Sequence, residues 1–132
     1  MDEQAAFPAE LASAPAARRF ATSVLRSWRC DAVVDPAQLL LSELVVNAVL
    51  HAESSVTVRL ALLEGRVRIE VADRSTVTPE VRPVDPAAVT GRGMLIVDAL
   101  ASSWGVDPTV DGKVVWFELA TDDVDAASTR LR

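Results

Sequence analysis

The sequence predicts an α/β (α+β) protein, a two-layer sandwich of three helices on one face of a mixed, mostly antiparallel sheet. Three observations lead there. Segments 55–63 and 66–73, and again 103–106 and 113–119, alternate apolar and polar residues with period two, and each pair is joined by a short turn. Three other stretches repeat their apolar residues at helical spacing. With 132 residues the chain has the length of one core, which strands and helices must therefore share. The domain is expected over 7–120, between flexible ends at 1–6 and 121–132.

In chain order, 7–11 is expected as a short edge strand, where Pro8 is tolerated because an edge does not need every N–H. Pro15 suits the first turn of a first helix, and Ala16, Ala17, Phe20, Val24, Leu25 and Trp28 recur at helical spacing as far as Cys30. The other side of that helix shows Arg18, Arg19, Arg26 and Arg29, a solvated face that an acidic partner could also use. Asp35 then caps a second helix and Pro36 presets its backbone angle, with the apolar pattern running to about Ala52. Glu64 and Gly65 turn the central hairpin. The stretch 74–90 holds three prolines and no apolar period, the mark of a loop, and Gly91 and Gly93 open a third helix over 94–100. The last hairpin turns through Pro108, Asp111 and Gly112. Trp104 and Trp116 are assigned to the core.

Composition narrows the class of function. Half of the residues are hydrophobic and 24% are charged, which fits a soluble globular domain. The longest apolar stretch, 39–52, is interrupted by Ser42, Glu43, Asn47 and His51 and is too short and polar to span a bilayer. Residues 1–6 carry Asp2 and Glu3 in place of a basic and then apolar leader, so the cytoplasm is the expected compartment. Cys30 is the only cysteine, which excludes an internal disulfide. A net charge of -6, with no basic stripe interleaved with aromatics, argues against direct nucleic-acid binding.

The chemistry begins in the second helix. Glu43, Asn47 and His51 are four residues apart and fall in one sector of roughly 80 degrees. Leu39, Leu40, Leu41, Leu44, Val45, Val46, Val49 and Leu50 cover the remaining directions, so the helix is expected to be buried on most sides. A buried Asn left unpaired costs roughly 1 to 3 kcal/mol, so Asn47 needs a partner. Two kinds are open: a loop, or a hard cation such as Mg²⁺ held by the Asn carbonyl while the Glu takes a proton from water or a hydroxyl. Downstream, the alternation Ile69, Val71, Asp73 ends a strand in a carboxylate, which can accept a hydrogen bond from a purine's exocyclic amine, with Ser75 as a second contact or a water holder. Its alternative is a loop cap. Gly91-Arg92-Gly93 leaves backbone N–H groups bare at a positive helix terminus, which suits phosphate, and serves equally as a flexible helix entry.

The order of parts, Glu43-x-x-x-Asn47-x-x-x-His51, then Asp73-Arg74-Ser75, then Gly91-Arg92-Gly93-Met94-Leu95-Ile96-Val97, resembles the GHKL (gyrase, chaperone, histidine-kinase) ATPase superfamily. More closely it is similar to the anti-sigma-factor serine/threonine kinases of the RsbW type, over roughly 7–119. The resemblance implies ATP and Mg²⁺ lying between the helix layer and the loop joining the motifs. By position, Asn47 would coordinate Mg²⁺, Glu43 would be the general base toward a serine hydroxyl, and Asp73 would recognise the adenine amino group. Gly91, Arg92, Gly93 and Met94 would line the phosphates, and His51 would reach phosphate or brace the loop. The implied partners are an anti-sigma-factor antagonist and a sigma factor. Because the resembling kinases often pair, a homodimer is compatible with the chain.

Two features depart from that pattern. The adenine motif is usually Asp-x-Gly-x-Gly, and here Ser75 and Val77 replace both glycines, placing a side chain on the floor of the base pocket. The loop as far as Gly91 is also short, so a lid built from it would cover nucleotide incompletely. The alternative function is therefore an ATP-binding partner-switch module that transfers no phosphate. A histidine-kinase catalytic domain is disfavoured because the chain shows neither a dimerising helical hairpin nor a sensor segment.

Overall fold

The computed structural model describes residues 1–52, 54–74, 97 and 99–121, with the backbone alone described at His51 and Ala52. Five strands form one sheet in the order β1-β2-β3-β5-β4: β1 (Asp2–Phe7), β2 (Val56–Leu63), β3 (Arg66–Asp73), β4 (Ser103–Pro108) and β5 (Lys113–Ala120). All four pairings are antiparallel. Two helices, α1 (Ser13–Ser27) and α2 (Val34–Ala52), cover one face. The two-layer sandwich expected from the alternation is the fold observed. Val97, Ala99 and Leu100 are helical, and the rest of the third expected helix lies outside the described residues, as do the loop 75–90 and the tail 122–132.

The strand pattern sets the core. In β3, Val67, Ile69 and Val71 turn one way and are buried, while Arg66, Arg68 and Glu70 turn the other way. Their neighbours in register, Val58 and Leu60 on β2 and Val115, Phe117 and Leu119 on β5, complete the buried face. Onto it α1 lays Ala17, Ala21 and Leu25, and α2 lays Ala37, Leu40, Leu41 and Val45. The alanines let the helices approach closely, and two side-chain bonds lock them together: Gln38 Nε2 donates to Thr22 Oγ1 at 2.7 Å and Arg18 Nη1 to Ser42 Oγ at 2.9 Å.

The structure corrects several sequence expectations. The edge strand is not 7–11 but Asp2–Phe7, which takes up most of the stretch 1–6 expected to be flexible. Pro8 ends it, and the following residues turn into α1, with Glu10 N–H bonded to Pro8 O at 2.8 Å and Ser13 Oγ to the same carbonyl at 2.6 Å. Helix α1 stops at Ser27, where Arg29 takes a φ of 60° and lets Cys30 N–H reach Leu25 O at 2.8 Å. A short 3₁₀ turn, Asp31–Val33, leads directly into α2, so Pro36 sits in its first turn. Helix α2 is buried over more than half of its surface, as expected, and Leu39 and Leu50, 45% and 48% exposed, mark its open side. With the preceding turn, Asp31–Leu50 has the length and apolarity of a membrane span, yet over half of it is buried in the fold, as in a core helix. Trp104 packs against the core as expected. Trp116 does not: it is paired with Gly105 on the sheet's other face, where the Arg68 guanidinium lies 4.1 Å from its ring centroid.

Candidate functional site

Among the described residues, connectivity and register bring the last turns of α2, which carry Asn47, to the same end of the sandwich as Asp73. Helix α2 ends at Ala52 and β2 starts at Val56, so the last turns of the helix stand over the end of the sheet where Thr57 pairs with Ala72. Asp73 follows Ala72 as the last residue of β3, and Arg74 N–H donates to Ser54 Oγ at 3.2 Å, tying the end of β3 to the loop after α2. The β4–β5 turn reaches the same end, because Asp73 is in register with Lys113 and Lys113 with Pro108.

Asn47 is the most telling residue. Only 8% of it is exposed, and among the described residues neither its Oδ1 nor its Nδ2 has a hydrogen-bond partner. A native core rarely leaves both ends of an amide unsatisfied, and such atoms ask for a ligand, an ion or water. An Asn carbonyl is a suitable oxygen ligand for Mg²⁺, which takes one or two protein oxygens and completes its shell with phosphate and water. The described residues contain no cluster of three or more His, Cys, Asp or Glu side chains, and such a magnesium site needs none. Glu43, one turn earlier, is half-buried beside the exposed Leu39 and Leu50 and forms no ion pair with any described residue. The polar stripe thus runs from the helix's open side at Glu43 into the interior at Asn47. His51 lies in the last turn of α2, and its side chain is outside the described set. Ser75, Gly91, Arg92, Gly93 and Met94 also lie outside the described residues.

Asp73 ends the inward-facing row Val67, Ile69, Val71 on β3, so the alternation that builds the core delivers a carboxylate to the interlayer space. It does not stand alone. Lys113 ends the equivalent row on β5, and its Nζ lies 3.0 Å from Asp73 Oδ1, with side-chain exposures of 10% and 2% for lysine and aspartate. The turn before Lys113 is clamped to the same strand end: a Cβ on Gly112 would stand 2.5 Å from Arg74 Cα and overlap the Asp73 carbonyl oxygen. Sequence reasoning overlooked both residues. The available signal was Lys113 itself, a charge at an inward position of the row Lys113, Val115, Phe117, Leu119, which must find a countercharge in the interior.

A separate open groove on α1, lined by Arg18, Arg19, Thr22, Arg26 and Gln38, contains none of these residues.

Comparison with known proteins gives matches of three kinds. A family model described as histidine kinase-like ATPase domain matches residues 7–119. An uncharacterised protein of Streptomyces coelicolor is 41% identical over 68 residues, 48% of this chain and 64% of that relative, so the match leaves over a third of it unaligned. The crystal structure of the RsbU and RsbW domains of Rv1364c from Mycobacterium tuberculosis superimposes with a TM-score of 0.71 at 21% identity. That match covers 91% of this chain but 32% of the other, a likeness of fold.

Proposed function

Because the chain belongs to the histidine kinase-like ATPase domain family, we propose that it binds ATP with Mg²⁺ at the end of the sandwich and acts as a bacterial partner-switch regulator. In this reading it is an anti-sigma-factor serine/threonine kinase, cytoplasmic, which phosphorylates an anti-sigma-factor antagonist and sequesters a sigma factor when the antagonist is absent. One observation carries the proposal: Asn47 is buried and neither end of its amide has a partner among the described residues, in the helix and at the position where the family resemblance places the magnesium ligand.

The roles follow from placement. Asn47 Oδ1 would hold the ion, whose charge, when bound, offsets that of the triphosphate. Glu43, nearer the open side of α2, would accept the proton of an incoming serine hydroxyl. Asp73 would read the base, and 91–94 would approach the phosphates. Calorimetry with ATP and Mg²⁺ tests the core of this reading: Asn47→Ala should lose at least tenfold in affinity with its circular dichroism unchanged. Equal affinities would remove Asn47 from the site. With an antagonist protein and labelled ATP, Glu43→Ala should stop transfer.

A second reading, an ATP-binding switch that transfers no phosphate, draws on the missing adenine-motif glycines at Ser75 and Val77 and on the lysine engaging Asp73. Label never reaching any antagonist while ATP still binds would decide for it.

A further inference from the structure

Resting on the nucleotide reading above, we propose that Gly112 is a positioning residue for the base: by admitting the backbone of Asp73 and Arg74 against the β4–β5 turn, it sets where the Asp73 carboxylate stands. Conformation does not explain a glycine here. Gly65 takes a φ of 74°, which favours glycine, whereas the φ of Gly112 is not positive. Space explains it. A Cβ at 112 would overlap the Asp73 carbonyl oxygen and stand 2.5 Å from Arg74 Cα and 2.8 Å from the Asp73 carbonyl carbon, all of them backbone atoms. Carbon atoms in contact settle about 3.5 to 4.0 Å apart, so any side chain must part the turn from the strand end by roughly 1 Å.

Both sides of that contact are held. Thr109 N–H bonds to Gly112 O at 2.9 Å and closes the turn, whose arms run on into the paired strands β4 and β5. On the opposite side Arg74 N–H donates to Ser54 Oγ at 3.2 Å, in the loop after the helix that carries Asn47. The end of β3 is thus gripped between the turn and that loop. Asp73 and Lys113 are register partners whose side chains touch at 3.0 Å, so a separation at 112 reaches the carboxylate at once. A binding constellation works only when held to within about 0.5 Å, and a shift of the size required exceeds that. The assigned magnesium ligand is spared, because it stands on α2 while the nearest atoms to a Cβ at 112 all belong to Asp73 and Arg74. Gly112 therefore governs the base end of the pocket and not the metal end.

Calorimetry on the full chain, with ATP and with inosine triphosphate, which lacks the amine, each with Mg²⁺, separates reading of the base from the rest of the site. The wild type should prefer ATP by about tenfold or more, since a site that accepts a hydrogen bond from its ligand rejects an analogue without the donor. Gly112→Ala should reduce that preference to about threefold or less, by weakening ATP while inosine triphosphate stays within about threefold of its wild-type affinity. A glycine needed only for stability would weaken both alike. Should Gly112→Ala fail to fold, Ser54→Ala releases the Arg74 N–H from the opposite side without adding an atom, and it should narrow the preference in the same way. A wild type without the preference, a variant that keeps more than about threefold of it, an equal loss for both triphosphates, or absence of binding by the wild type would overturn the proposal. Failure of the underlying reading is distinguishable, because Asn47→Ala then binds ATP as the wild type does, whereas failure of the proposal alone leaves Asn47→Ala weakened.

Discussion

Both faces of the sheet carry ion pairs, and the two sets obey different physics. On the open face a ladder runs across the strands: Asp2 with Arg59, Arg59 with Glu70 at 3.3 Å, Glu70 with Arg68 at 2.8 Å, and Glu118 with Arg68 and Arg66 at 3.4 and 3.0 Å. Its members keep between 13% and 48% of their side-chain surface in water, so solvent screens each attraction and pays back most of what a broken pair loses. On the helix-covered face one pair is found among the described residues, Asp73 with Lys113; it lies at the end of an apolar row and little of either side chain reaches water. The same two charge types are therefore interchangeable surface chemistry on one side and a mutual dependence on the other.

The largest effect that would break this contrast is expected at Lys113. Lys113→Met should destabilise the fold by about 3 to 5 kcal/mol, the typical cost of breaking a buried pair from one side, whereas adding Asp73→Asn should recover most of the loss. Urea unfolding of the two proteins measures it, and a single variant as stable as the double would place the inner pair with the outer ones. Next comes Asn47. Replacing it with Leu should stabilise the ligand-free protein by about 1 to 3 kcal/mol, because two unsatisfied buried atoms disappear, while nucleotide-dependent thermal stabilisation is lost. Stability and binding moving in the same direction would mean that Asn47 has a structural partner. The smallest effect belongs to the ladder's outer end. Hydrogen bonding to Arg59 holds the Asp2 carboxyl below its usual range, so the pair's contribution is present above the unfolded-state value and fades as pH falls through the lowered one. In Arg59→Met, Asp2 followed by NMR should titrate closer to an ordinary aspartate, with little change in melting temperature at neutral pH.

How legible the fold was depended on how locally each element is specified. The β2–β3 hairpin is written in an uninterrupted period of two around Glu64-Gly65, and Gly65 takes the positive φ of 74° that such a turn requires. Asn47 stood out because an amide in so apolar a helix has no inexpensive place to go. β1 was misplaced because Asp2, Glu3 and Gln4 show no apolar alternation; the strand exists through its backbone ladder to β2, which composition does not encode. The partner of Asp73 was missed for a similar reason. Lys113 lies 40 residues away, and only the β3–β5 register brings the two together.

That β1 is formed by the first residues has a practical corollary. Met1 O accepts the Leu62 N–H at 3.0 Å, and Asp2 to Phe7 shield the whole outer side of β2. Trimming those seven residues would bare the backbone of Val-Thr-Val-Arg-Leu-Ala-Leu-Leu, a strand of high β-propensity with one charge, and so create an adhesive border where the intact chain offers acidic residues and a following proline. Shortened versions of the protein should therefore precipitate at concentrations that the full chain tolerates.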